Sequence, residues 1–500
     1  MKHYFIYIFL VSIVFISSCT KEKENEIIPV PVFTDFSFLK SHNNTLSVNV
    51  YMTIEGNKIS GILPYNSEVE SLAPTFYTNG ATVSIDGYNQ QSGINKNNFT
   101  DIVTYTLTST DGTTAEYNVE LSVEEPKILP KFYLFTDGAE PIDSKDDYRQ
   151  GNFLFYGNNV FDDAEGDMKI RGRGNSTWMH PKKPYQMKLD EKAEIMGMPA
   201  DKKWIFLAEY SDKTFLRNKI AFEMGYMSNL EWTPLSSFAD VFVNDEYNGT
   251  YHISQKVEES INRVDLEDNG FLLEIDQFER LDPDDVFFYS SQFLINIKAP
   301  DLAYDGEKYN YITNFIDEFE TALYGANFTN PNTGYEKYAE INSFVDWYLI
   351  NEITKNVDSK DFSSIYLNLV VGEKLKMGPL WDFDLAFGNN NYSDCEYPEG
   401  FWVKDNPYIN RMFDDPKFVR LVKERFDYYR SQESELYKII DENASLLNLS
   451  VHANDEKWNL LGEWVWPNAV VFDTYVEEVN YLKEWLGLRM NWLDSEFSKM

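Results

Sequence analysis

The sequence predicts an α+β protein of more than one domain, and three observations carry that reading. Its 500 residues exceed one ordinary domain. Short runs of alternating apolar and polar residues dominate to about residue 300, the pattern of half-buried strands. From about Asn310 the apolar period becomes helical, as in Ile341, Phe344, Val345, Tyr348, Leu349 and Ile353 on one face. With 16% aromatic residues the chain can fill a sizeable core.

The first residues read as a leader. Lys2 gives a positive start, Tyr4 to Ile16 is apolar, and Ser17-Ser18-Cys19 follows. The apolar run is too short for a comfortable membrane span. Cys19 in that place resembles a bacterial lipobox, whose cysteine becomes the lipidated first residue. Residues 1–18 are thus expected to be a lipoprotein signal peptide and 19–32, charged and then Pro-containing, a tether. The expected location is the outer membrane, anchored by lipid and exposed at the surface. Only Cys395 then remains, so no intrachain disulfide is expected although the compartment permits one.

From Phe33 to about Glu124 the chain is rich in Thr, Val, Ser and Tyr. Two alternating runs, Thr104–Thr108 and Tyr117–Leu121, flank an Asp111-Gly112 turn, a hairpin signal. About six or seven such strands predict a small β-sandwich, which resembles bacterial Ig-like domains. No chemistry is visible in it.

A second domain is expected from residue 128 to 500, strand-rich to about 300 and helix-rich after. Residues 168–219 hold twelve Lys and Arg against six Asp and Glu, a net +6 in a chain of −37. That local reversal suggests an anionic ligand, or a basic face paired to acidic neighbours. The overall charge argues against nucleic-acid binding. Inside the segment Gly172, Arg173, Gly174 and Asn175 form a glycine-rich loop between two strands. Lys188 on the second strand is expected to emerge beside it. Backbone N–H groups of such a loop can cradle phosphate with a lysine as counter-charge, and tight hairpins use the same residues for turn geometry.

Carboxylates gather further on. Asp358 follows a helix, a β-hairpin comes next, and Gly378 to Gly388 then delivers Asp382 and Asp384 with only Phe383 between them. Read as a strand, that spacing puts both acids on one face. Paired carboxylates among Trp381, Phe383, Leu385 and Phe387 are costly without a positive partner, and hard oxygen ligands suit Mg or Mn. The five histidines are scattered and no HExxH, GxSxG or Walker A string occurs, so zinc, serine-hydrolase and P-loop chemistry are not expected.

The order of parts is glycine loop, lysine, aspartate after a helix, then aspartate before Phe, the order used by protein kinases. Six stretches are specific: RGRGNSTW (171–178), KKPYQMKLD (182–190), KKWIFLAEYSDKTFLRN (202–218), VNDEYNGTYHIS (243–254), GFLLEID (270–276) and GPLWDFDLAFG (378–388). Together they resemble the spore-coat CotH kinase family. The resemblance implies an atypical kinase-like two-lobe domain that uses ATP with Mg or Mn to phosphorylate Ser or Thr of secreted or surface proteins.

Carried over by position, Asp358 is the catalytic aspartate, Asp382 the metal ligand and Asp384 its helper. Lys188 pairs the phosphates, with Lys183 as runner-up and Glu223 as partner. Ser363-Ser364 stands where kinases place an asparagine ligand, which makes Ser364 the remaining metal-ligand candidate. Two other classes stay open. A glycan-acting hydrolase would also use paired carboxylates, with Trp381 and Trp402 as sugar platforms. A catalytically silent surface binding protein would need none of this chemistry.

Overall fold

Residues 30–46, 49–65 and 67–500 are described by a computed structural model, in two units that part between Glu124 and Glu125. The expected signal peptide, Cys19 and most of the tether lie outside the described residues.

The first unit carries nine short strands: β1 (Phe33–Phe38), β2 (Val50–Tyr51), β3 (Thr53–Glu55), β4 (Lys58–Leu63), β5 (Thr75–Thr78), β6 (Thr82–Ile85), β7 (Tyr88–Asn89), β8 (Val103–Thr108) and β9 (Thr114–Val123). They form one sheet in the order β2-β1-β5 and another in the order β3-β4-β9-β8-β6-β7. Both sheets bury one face in a shared core of Phe33, Phe36, Phe76, Tyr105 and Tyr117, whose rings meet mostly edge to face. The hairpin read around Gly112 is β8–β9, with Tyr105 opposite Tyr117.

The second unit opens with strands that close into a barrel. These are β10 (Lys131–Thr136), β11 (Arg149–Tyr156), β12 (Ala164–Gly172), β13 (Tyr185–Ile195), β14 (Met198–Leu207), β15 (Ser236–Val243) and β16 (Glu246–Gln255), in the barrel order β10-β11-β12-β13-β14-β16-β15. Closure comes from β10 lying parallel to β15, with Phe132 opposite Val241. Alternation fills the inside: Met168 and Ile170 of β12, and Tyr185, Met187 and Leu189 of β13, all point inward. One outer wall is covered as well, because Ile205, Phe238 and His252 are buried beneath α1 (Arg217–Tyr226).

Asp212 caps this turn from a distance. Its carboxylate accepts from the N–H of Arg217 at 2.9 Å and that of Thr214 at 3.0 Å. The helix begins only at Arg217, because Phe215 takes a left-handed turn (φ 62°).

Next come β17 (Gly270–Ile275), β18 (Val286–Tyr289), β19 (Leu294–Ala299), α2 (Glu307–Tyr324), α3 (Ile341–Thr354), β20 (Ile365–Val370) and β21 (Lys376–Met377). The strands form one sheet, β18-β19-β17-β20-β21. The helix α3 is buried almost all round, as a helix apolar on every side must be. The chain ends with α4 (Pro407–Met412), α5 (Pro416–Ser431), α6 (Glu433–Trp458) and α7 (Tyr475–Phe497). Asp415 caps α5 through the N–H of Lys417 (2.8 Å) with Pro416 in the first turn. The helix α6 runs on to Trp458 and stops at a left-handed Asn459 (φ 49°). Among the described residues no helix is long and apolar enough to cross a membrane. The architecture is mixed α+β.

Candidate active site

The segment from Gly378 to Gly388 is a loop, not a strand, and this corrects the reading that put Asp382 and Asp384 on one strand face. Asp382 is left-handed (φ 68°), a conformation that costs a non-glycine residue roughly 1–2 kcal/mol and must be held by its surroundings. It is held on both sides. The Asp382 carbonyl accepts from Asn356 Nδ2 at 3.1 Å, and the next N–H, of Phe383, donates to Asn218 Oδ1 at 2.8 Å. The two carboxylates consequently have different neighbours. Ser364 Oγ donates to Asp382 Oδ2 at 3.3 Å, and Ser211 Oγ donates to Asp384 Oδ2 at 3.3 Å. The far end of the loop is tied down by Arg217 Nε, which donates to the Ala386 carbonyl at 3.1 Å.

Asp358 begins a short 3-10 turn after α3. Its flanks are fixed, since Trp402 Nε1 donates to the Val357 carbonyl (2.9 Å) and Ser359 Oγ to Asn351 Oδ1 (2.7 Å). Burial and the Asp382 charge push the Asp358 carboxyl up to about 6, against the pull of Arg280 and a hydrogen bond from Ser363. Burial, then Asp382, raise the Asp384 carboxyl well above its usual range. Asp358, Asp382 and Asp384 repel one another in a half-buried site, and Arg280 and Arg173 are cations that bear on them. The guanidinium of Arg173 lies 5.4 Å from the Trp381 ring and is drawn to Asp382 and Asp384.

The glycine loop presents Arg173, and its backbone is already engaged: the Gly172 N–H donates to the Ser144 carbonyl at 2.8 Å, the Arg173 N–H to the Pro184 carbonyl at 3.1 Å, and the Gly174 carbonyl accepts from Lys145 Nζ at 3.0 Å. A Cβ on Gly172 would come within 2.1 Å of the Trp178 ring, and one on Gly174 within 2.1 Å of Thr177 Oγ1, so both glycines admit close packing inside the loop. Lys183 Nζ donates to the Trp178 carbonyl at 2.7 Å, closing that loop. Asn175 is exposed, and its carbonyl accepts from the Trp178 N–H at 3.3 Å.

Lys188 does not emerge beside this loop. It is exposed on the outer barrel wall, opposite Lys169 and Lys203, three positions along β13 from the Tyr185–Gly172 pair that borders the loop. Glu223 does not meet it either, because it pairs with Lys219 at 2.6 Å on its own helix. The cation missed in the sequence is Lys256, just past β16. Burial lowers it to about 8, and Lys203, Lys298 and Arg173 add to that lowering against Glu258. Its burial rests on barrel closure, which no local pattern announces. Trp381 and Trp402 are not free platforms: the first stacks on Phe222 (6.2 Å) and lies against Arg173, and the second carries Lys360 over its ring (4.4 Å).

Among the described residues no group of three or more His, Cys, Asp or Glu side chains is gathered into a metal cage. The donors present are Asp382 with Ser364 and Asp384 with Ser211. One or two carboxylates, completed by phosphate and water, is the set magnesium uses in nucleotide sites, so these residues fit such an ion.

The site of this mixed α+β chain is thus a set of half-buried aspartates, two of which attract Arg173 of the glycine loop. Residues 170–493 match the CotH kinase protein family, and the chain belongs to it. Residues 39–121 match the SGBP N-terminal family. No curated protein matches the chain. A solved structure described as a proposed glycoside hydrolase from Bacteroides thetaiotaomicron is 13% identical, with 58% of this chain and 88% of its own covered, at a TM-score of 0.16. That likeness is too loose to bear on the fold.

Proposed function

We propose that this chain is an atypical kinase: it binds ATP with Mg or Mn where the barrel meets the five-stranded sheet and transfers the γ-phosphate to a Ser or Thr hydroxyl of an exported protein. The barrel takes the part of the strand-rich lobe and the elements from β17 onward that of the other. The observation that carries the reading is that Asp382 bears electrostatically on Asp358 and Asp384, while Arg173 of the glycine loop bears on Asp382 and Asp384, inside the span of the kinase family. A divalent cation, when bound, supplies neutralisation of the phosphate charge. Asp382 and Ser364 would hold it, with Asp384 as helper. Arg173 and Lys256 are placed to meet phosphate oxygens, a role that exposed Lys188 is poorly placed to share. Asp358, with its raised carboxyl, orients the acceptor hydroxyl and takes its proton near neutral pH. We further propose that the protein is exported and lipid-anchored through Cys19, with the first unit as a spacer.

The test is transfer of label from ATP with Mn, to the protein itself and to casein, for wild type beside Asp382→Ala. Wild type should label and the variant should not. Metal-independent ATP binding by wild type, or full transfer by the variant, would overturn the kinase reading in favour of a binding protein.

A further inference from the structure

The peptide joining Asp382 to Phe383 is fixed by a buried chain of side chains that the proposed mechanism does not use. Asn218, in the first turn of α1, accepts the Phe383 N–H through Oδ1. Its amide then donates to both oxygens of Glu209, at 3.2 and 3.4 Å. Glu209 sits just past β14 in a left-handed conformation (φ 48°), so its own backbone is strained to present the carboxyl. On its other side, Glu209 Oε1 shares a proton with His252 Nδ1 at 3.1 Å. His252 projects from the outer wall of β16, and its Nε2 is buried with no hydrogen-bond partner. All three residues are buried, and Lys182, Asp212 and Asp384 are the charged groups that also bear on Glu209.

A carboxyl left in such a place is disfavoured unless it does something, because an amide or an apolar residue would fill the space at less cost. What it does here is geometric. Asn218 must turn its oxygen toward Phe383 rather than its nitrogen, and the two Glu209 oxygens enforce that by demanding the nitrogen. With the amide set, the 382–383 peptide is gripped at its N–H by Asn218 and at its carbonyl by Asn356. The strained Asp382 conformation follows.

We propose that Glu209, with His252 behind it, is a positioning residue: through Asn218 it orients the 382–383 peptide and thereby aims the Asp382 carboxylate at the metal site. The metal half of this inference rests on the function proposed above; the orientation half does not.

The polarity of the relay can be reversed in the full-length protein. Asn218→Asp alone sets two carboxyl groups against each other. Glu209→Gln alone leaves one oxygen where Asn218 has two acceptors, and so sets an amide nitrogen against that of Asn218 at one of the two contacts. Combined, they restore one donor–acceptor contact between positions 209 and 218 in place of the wild type's two. The carboxylate introduced at position 218 accepts from the Phe383 N–H and from the amide introduced at position 209. The oxygen of that amide accepts from His252, and the net charge is unchanged. Each variant is measured by amide exchange of the peptide covering 378–388, by Mn-ATP titration, and by its kcat and KM for transfer. Each single variant should speed exchange in that peptide and weaken Mn-ATP binding by roughly 10-fold to 100-fold, the span of one charged hydrogen bond. The double variant should recover to within roughly 3-fold of wild type, with KM restored alongside kcat. A double variant no better than the worse single, or unchanged exchange in Asn218→Asp, would overturn the relay. If wild type binds no Mn-ATP, the kinase reading fails while the exchange data still decide the relay.

Discussion

The charge of Asp382 raises the cost of ionising Asp358, yet the loss of each should differ in kind. Asp358→Asn keeps the shape and leaves the phosphate side intact. ATP binding should stay within about 2-fold of wild type, while transfer falls by roughly 10²–10⁴, the usual share of a positioned acid–base group. Stability should move the other way. The folded carboxyl sits at about 6 against an ordinary 3.8, so its protonated form favours the fold below about pH 4, and that favour is lost as pH rises through about 6. The amide cannot lose it. About 2 units at ~1.4 kcal/mol each sets a ceiling near 3 kcal/mol, and partial exposure brings the expectation to roughly 1–2 kcal/mol. At pH 8 the variant should melt roughly 1–4 °C above wild type by calorimetry, with the gap closing by pH 4. In wild type, kcat/KM should rise as pH passes about 6, since only the ionised carboxylate accepts a proton. The cations separate similarly. Arg173→Ala and Lys256→Ala should each weaken Mn-ATP binding by roughly 10-fold or more, and Lys188→Ala should leave it within about 2-fold, measured by calorimetric titration.

At the scale of elements, the helical half is pinned by an ion pair with no solvent contact. Glu352 of α3 and Arg489 of α7 meet at 2.6 Å, and Arg489 also serves the carbonyls of Glu352, Pro398 and Gly400. Glu352 in turn accepts the N–H groups of Trp402 (2.8 Å) and Lys404 (2.7 Å). Arg489→Met should therefore cost about 3–5 kcal/mol in urea unfolding, because it strands a buried carboxylate and three carbonyls together. Glu352→Gln should cost less, since an amide oxygen can still accept. What was legible in the sequence is local in the same sense. Alternation announced β12 and β13, the helical period from Ile341 to Ile353 announced α3, and the motif order announced the family. The pinning of the Asp382 loop was not legible, because a strand pattern and a loop held by Asn218 and Asn356 read alike until the chain has folded. Lys188 misled for the same reason: strand parity gives its face but not what a closed barrel leaves outside.

At the scale of the molecule, the net charge of −37 outweighs the half-buried Arg173 and Lys256, so an anionic nucleotide approaches through a repulsive field. Its association should therefore quicken with salt or divalent cation, which stopped-flow binding at two ionic strengths would show. The division at Glu124 and Glu125 sets the last expectation. Every residue assigned to the aspartate cluster, the basic loop and the relay lies from Gly172 to Asp384, inside the second unit. Each unit also closes its own core, the first around Phe33 and Tyr105 and the second around the barrel and α3. Cooperative folding follows a closed core, so the units should melt separately. Residues 126–500 expressed alone should then stay soluble, melt within about 2 °C of the corresponding transition in the longer protein, and bind Mn-ATP within about 2-fold. Residues 30–124 should give their own transition and bind no nucleotide. Loss of nucleotide binding from 126–500 with its transition intact would mean that the first unit completes the site, and the spacer role proposed for it would fall.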